Sequence, residues 1–150
     1  MGMTLVIVVA LGLLCGVAAV WIKRKKQRAE MDDFRITPEG LHSLIASGKE
    51  VRVYDVRQPL DLLAVSEMIS GAIRIPPREV MENPSLIPKD KDVVVYCTCP
   101  SDKTSREILE KARAQHFSRM KVLEGGLAGW KAKGYPVEAY RESFHLDTAK

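Results

Sequence analysis

Asp92-Val93-Val94-Val95-Tyr96-Cys97-Thr98-Cys99-Pro100-Ser101-Asp102-Lys103-Thr104-Ser105 is the stretch on which the fold turns. Its apolar run from Val93 to Tyr96 is unbroken, which predicts a strand buried on both faces, as in a parallel sheet. From Thr104 to Gln115 the apolar positions Ile108, Leu109 and Ala112 recur at helical spacing, so a helix is expected there. The loop between them therefore joins the carboxyl end of a buried strand to a helix N-terminus. In open parallel sheets that edge is where ligands bind.

Outward from this loop, strands and helices alternate. Toward the N-terminus, Thr37 as N-cap and Pro38 at the first helical position open a helix with Leu41, Leu44 and Ile45 on one face, ended by Gly48. Val51–Val56 reads as a strand, broken at Gln58-Pro59, and Leu60–Ser66 as a short helix. Ala72–Ile75 is a second strand stopped by Pro76-Pro77, and Arg78–Glu82 a helical turn ending before Pro84. On the C-terminal side, Met120–Leu123 is the fourth strand and Leu127–Lys133 the last helix, before Gly134-Tyr135-Pro136. Gly125-Gly126 suits a tight turn at positive φ, and Trp130 packs the closing helix on the core. The pattern predicts an α/β fold with a small parallel sheet flanked by helices.

The 150 residues leave room for one domain, and the 46% hydrophobic share is unevenly spread. Thr4–Ile22 has 19 residues and no charged side chain, enough for a helix of about 28 Å. Lys23-Arg24-Lys25-Lys26-Gln27-Arg28 follows at once. A secretory signal carries its positive charge before the apolar core, so this order predicts an uncleaved anchor instead. Leu14 before Cys15 does not fit a lipoprotein signal, and Val6 does not fit myristoylation of Gly2. Cys15 reads as a small apolar residue within the helix, and Gly12 with Gly16 would permit close helix pairing. The expected organisation is a transmembrane anchor over 1–22, a basic linker over 23–33, a domain over 34–140 and a polar tail over 141–150. The positive-inside rule then places the domain on the cytoplasmic side of the cell's inner or plasma membrane. Beyond the basic block, residues 29–150 carry a net charge of −1, so the overall +4 gives no support to nucleic-acid binding.

Only three cysteines are present, so no disulfide framework is expected. A thiol in the 97–104 loop would face the positive end of the following helix and a curl of free backbone N–H groups, both of which stabilise a thiolate. Lys103 and Arg106 add positive charge. The chemistry suited to this pocket is sulfur transfer through a cysteine persulfide, or attack on an oxyanion ester. Cys97 is the expected nucleophile because the buried strand fixes its position; Cys99 is the alternative. Thr98, Cys99, Ser101, Asp102, Lys103, Thr104 and Ser105 would form the anion-binding loop. Cys99 reads otherwise as a loop thiol with no role, or as a resolving partner that discharges a persulfide. Asp55 and Arg57 would organise the neighbouring strand end, and Arg57 could line the anion pocket. Two loop cysteines with scattered His42, His116 and His145 fall short of a zinc site, so no metal or other cofactor is expected, and the histidines read as surface residues.

Several segments together resemble a rhodanese domain: Asp55-Val56-Arg57, Ile69-Ser70-Gly71-Ala72-Ile73-Arg74-Ile75-Pro76, the cysteine loop after Val93–Tyr96, and Leu123-Glu124-Gly125-Gly126-Leu127-Ala128-Gly129-Trp130 through Pro136. The similarity covers roughly residues 34–140. It implies the family's α/β fold and a cysteine that carries sulfane sulfur from a small sulfur-containing anion such as thiosulfate to a thiol or protein acceptor. Two departures stand out. Met68 occupies a position where the family usually has histidine. The family's loop runs six residues from cysteine to an arginine followed by Ser or Thr; here Ser105 is six residues after Cys99, and Thr104 holds the arginine's place. The loop is therefore either two residues longer with Cys97 as nucleophile, or begins at Cys99. The competing expectation is a rhodanese-like module, tethered to the membrane, that binds a partner without turnover. Phosphatase or arsenate reductase chemistry fits less well, since the loop lacks an arginine to clamp a tetrahedral oxyanion.

Overall fold

The computed structural model describes residues 15–23, 25–26, 33–98 and 103–142. The chain divides into two units, residues 1–34 and 35–150. In the first, residues 15–23 form a helix (α1), on which Cys15, Val17, Val20, Trp21 and Ile22 are all exposed. Among the described residues no helix is long and apolar enough to cross a membrane. Residues 4–14 of the expected span lie outside the described residues, as do residues 24 and 27–32 of the basic linker and 143–150 of the tail.

The second unit holds a five-stranded sheet of β1 (Arg35–Ile36), β2 (Val51–Asp55), β4 (Ile73–Arg74), β5 (Asp92–Tyr96) and β6 (Met120–Leu123). Its order is β1-β6-β5-β2-β4, and every pairing is parallel. The all-apolar strand is thus the central one, with Val93, Val94, Val95 and Tyr96 each at most 2% exposed. Strand alternation sends Val94 and Tyr96 to one face and Val93 and Val95 to the other, which is why no polar residue interrupts the run. The Val94 face packs with Val53, Leu123, Ile69, Leu41 of α2 (Pro38–Ala46), and Leu127 and Trp130 of α6 (Gly126–Ala132). Helix α5 (Lys103–Ala114) buries Ile108, Leu109 and Ala112, the three positions expected from the spacing, and touches β6 and α4 (Pro77–Glu82).

Local signals set most helix ends. The Thr37 hydroxyl accepts the Gly40 amide at 3.1 Å, and Pro38 follows at the first helical position. Thr37→Ala should therefore cost about 1 kcal/mol, read as a lower urea midpoint with an unchanged m-value. At the end of α5, His116 takes φ 66°, and the amides of His116 and Phe117 bond back to Arg113 and Ala112. This is a Schellman closure in which histidine occupies the position usually given to glycine. His116 is exposed as expected, whereas His42 is half-buried, stacked on the Tyr135 ring at 4.1 Å. That ring also meets Trp130 at 4.9 Å, so His42 extends an aromatic cluster rather than standing free on the surface. His145 lies outside the described residues.

Three strands were absent from the expectation. β1 has two residues, and β3 (Glu67–Ile69) and β7 (Val137–Ala139) have three each, too short for any periodicity to register. The expected helix over Leu60–Ser66 is α3 (Pro59–Ala64); Val65 turns extended and leads into β3. β3 and β7 pair antiparallel as a separate ribbon, and Tyr140 N–H bonds to the Ser66 carbonyl beyond it.

Candidate functional site

Cys97 follows the last residue of the central strand and is 2% exposed. Two neighbours pin the chain here. The Val56 amide donates to the Tyr96 carbonyl at 3.0 Å, continuing the sheet by one rung. From the other side, the Leu127 amide approaches the Cys97 carbonyl at 3.4 Å. Gly126, at φ +51°, makes this approach possible: a Cβ there would lie 1.9 Å from the Cys97 carbonyl oxygen. The turn expected at Gly125-Gly126 is present, with both residues at positive φ. Its close fit against Cys97 was not legible in the sequence.

Under this strand end lies a buried polar network. Arg57 and Asp55 are both fully buried, and the guanidinium grips the carboxylate through Nη2 at 2.6 Å and Nε at 2.9 Å. Its remaining reach goes to the carbonyls of Val65 at 2.9 Å and Glu67 at 2.7 Å. The Tyr96 hydroxyl donates to Asp55 Oδ2 at 3.0 Å and accepts the Ile69 amide at 3.1 Å. Burial, reinforced by the Asp55 charge, pushes the Tyr96 phenol well above its ordinary range, so it stays a neutral donor. Arg57 thus organises the strand end as expected, holding Asp55 and the α3–β3 turn. Asp55 plays the organising part expected of it. Tyr96 was missed as a member of this network, although it directly precedes the candidate nucleophile. Beside it, Arg74 Nη1 caps the carbonyls of Asp55 and Ile75 at 2.9 and 2.8 Å.

Across the loop, α5 begins at Lys103. Thr104 is half-buried, and Ser105 is completely buried with its hydroxyl unpartnered. Thr98, next to Cys97, likewise has a buried hydroxyl oxygen with no hydrogen-bond partner. Two orphaned hydroxyls thus sit on residues at either end of the loop, a costly arrangement unless a ligand or water completes it. Lys103 is 77% exposed and pairs loosely with Glu107 at 4.0 Å, so it is a surface cation rather than a pocket one. Arg106 is exposed too, sharing a shallow depression with Lys103, Glu107 and Glu110. The candidate residues Cys99, Ser101 and Asp102 lie outside the described residues. Met68 is elsewhere, in β3 opposite Glu138, where it lines a cleft of about 540 Å³ with Arg74 and Tyr140. Among the described residues no group of three or more His, Cys, Asp or Glu side chains is arranged to hold a metal ion.

Comparison with known proteins matches this architecture to a family. Residues 37–133 fit the rhodanese-like domain. A protein named sulfurtransferase from Allochromatium vinosum is 32% identical over 104 residues, covering 69% of this chain and 94% of that one. A protein from Mycobacterium tuberculosis, named probable adenylyltransferase/sulfurtransferase MoeZ, is 31% identical over 103 residues; the match takes in 67% of this chain but only 25% of that longer protein. Among solved structures, a rhodanese-related protein from Thermoplasma volcanium superposes with a TM-score of 0.57 at 29% identity, over 69% of this chain and 96% of its own. The chain belongs to the rhodanese-like domain family.

Proposed function

We propose that this chain is a sulfurtransferase in which Cys97 carries sulfane sulfur as a persulfide. The observation that carries the reading is the placement of Cys97. It sits at the carboxyl end of the central strand, pinned by Val56 and Gly126, with buried unpartnered hydroxyls on Thr98 and Ser105. In the loading step the Cys97 thiolate attacks the outer sulfur of a donor such as thiosulfate. The Cys97 Sγ–S bond forms, the donor's S–S bond breaks, and sulfite leaves with the electron pair. A thiol or protein acceptor then attacks the terminal sulfur and releases Cys97. The N-terminal end of α5 and the two hydroxyls supply hydrogen bonds to the sulfur anion. The sulfurtransferase name of the Allochromatium vinosum relative, which the chain covers almost completely, supports the activity class.

A membrane tether completes the proposal. Val17 and Trp21 of α1 are 67% and 63% exposed, and the basic block follows directly. Such a segment suits insertion in a bilayer with the domain on the cytoplasmic side.

The test is intact-protein mass spectrometry of the full chain after saturating treatment with thiosulfate or with glutathione persulfide. Gain of one sulfur that disappears in Cys97→Ser, with an unchanged melting temperature, is the expected result. Disappearance in Cys99→Ser alone would move the nucleophile by two residues. No sulfur on any form would leave a non-catalytic rhodanese-like binding module, a reading that the deep burial of Cys97 favours.

A further inference from the structure

The parallel sheet has two unlike ends, and Cys97 stands at only one of them. At the other, the amino end, β2, β5 and β6 begin at Val51, Asp92 and Met120, and their register holds these starts side by side. Around them the sequence places six cations, Lys49, Arg52, Lys89, Lys91, Arg119 and Lys121, against three acids, Glu50, Asp90 and Asp92. The rest of residues 35–142 carries eleven basic and twelve acidic side chains, so the positive surplus of the domain is concentrated at this edge. The acids knit the cations together. Glu50 takes both Lys91 and Arg52, the latter at 3.5 Å. Asp92 takes Arg119 at 2.9 Å; that hydrogen bond, with the charges of Arg119, Lys49 and Lys121, holds its carboxyl below the ordinary range. Lys89 reaches the Gln115 carbonyl beyond the end of α5 at 3.1 Å.

Two further features say what this edge fits. Ile45, in the last turn of α2 before the chain enters β2, is 42% exposed, and Leu86, in the helical turn Pro84–Leu86 that precedes β5, is 44% exposed. Exposed aliphatics beside a basic cluster suit a lipid interface, where apolar side chains enter among headgroups and cations meet lipid phosphates. A nucleic-acid backbone would use the cations alone. The chain also enters β1 from this end: Arg35 pairs with Val122 in parallel, so the residues before it run toward the start of β6. The linker over 23–33 spans at most about 40 Å, and its five cations outnumber Glu30, Asp32 and Asp33.

We infer that the amino edge of the sheet docks on an anionic bilayer surface, with Lys49, Lys89 and Lys121 against lipid phosphates and Ile45 and Leu86 among the headgroups. The inference rests on the membrane tether proposed above and gives the tethered domain an orientation. All five strands then point away from the lipid, and Cys97 stands beyond the far end of β5, about 16 Å from its start, on the side facing soluble partners.

The full chain is reconstituted into vesicles of phosphatidylcholine alone, or mixed with phosphatidylglycerol, and labelled with a membrane-impermeant amine-acylating reagent. Mass spectrometry gives the labelling of Lys89 and Lys91 relative to Lys103, which opens α5 at the opposite end of the sheet and is 77% exposed. Because the ratio is taken within one molecule, the direction of insertion drops out. Anionic lipid should lower the ratio at least about fivefold, and about 1 M salt should restore it, since charges are then screened beyond about 3 Å. Lys49→Glu with Lys121→Glu, or Ile45→Ser with Leu86→Ser, should return most of the labelling while leaving sulfur loading on Cys97 unchanged. A ratio indifferent to anionic lipid, in a chain that floats with phosphatidylcholine vesicles, overturns the docking and spares the tether. A chain that fails to float with them overturns both. Protection of the same lysines by a short RNA duplex and not by anionic lipid overturns the inference in favour of a nucleic-acid surface.

Discussion

Gly126→Ala is expected to lose persulfide formation and to melt well below the parent chain. Two costs combine. An alanine at φ +51° is strained by about 1–2 kcal/mol, and its Cβ would sit 1.9 Å from the Cys97 carbonyl oxygen, which forces backbone to move. Overpacking of that kind adds about 1–3 kcal/mol. Gly134→Ala is the control: its φ is +70°, yet nothing lies within 4 Å of the added Cβ. It should carry the backbone strain alone and load sulfur at the parent rate. The difference in melting temperature between the two variants isolates the contact with Cys97. Equal loss of stability with full loading in Gly126→Ala would mean that the turn does not position the thiol.

Arg57→Leu should be the most destabilising charge change in the domain. Among the described residues it leaves the fully buried Asp55 carboxylate with the Tyr96 hydroxyl and the backbone amide at position 57 as hydrogen-bond donors. Breaking a buried pair from one side typically costs about 3–5 kcal/mol. Arg57→Lys should recover only part of this, since one ammonium cannot grip the carboxylate and two carbonyls as a planar fork does. In the double variant Asp55→Asn with Arg57→Leu, no naked charge remains and stability should rise above that of Arg57→Leu alone. Chemical denaturation of the parent, Asp55→Asn, Arg57→Leu and the double variant forms the cycle; strict additivity would show that the pair is not coupled.

The strands 51–55, 92–96 and 120–123 were readable from their apolar and β-branched content, and the unbroken run 93–96 from a strand covered on both faces. That the sheet is parallel followed from the helices between them; the order of its strands did not. Strands β1, β3 and β7 were not readable, since two or three residues carry no period and their pairing depends on partners about 70 to 90 residues away. The site divided the same way. The place of Cys97 at the end of the central strand could be read because a buried strand and a helix start bracket it. Arg57 could be read as an organiser of the strand end, but not its partners, because sequence shows a charge and not what holds it. The Tyr96 hydroxyl reaching two strands, and the close fit of the Gly126 turn against Cys97, are matters of geometry that leave no mark in local composition.

The order β1-β6-β5-β2-β4 also sets a schedule for biosynthesis. Arg35 and Ile36 leave the ribosome early, yet their partners Val122 and Leu123 are made near the end, and the ribbon waits for residues 137–139. The nascent chain can pair β2 with β4 and β5 while it grows, but both margins of the domain stay open until translation is almost finished. Closure is then a late event that draws the two ends of the domain in together, and such long-range pairing is slow. A ribosome stalled before residue 120 would hold out an unfinished sheet whose β5 edge is bare, a natural substrate for chaperones.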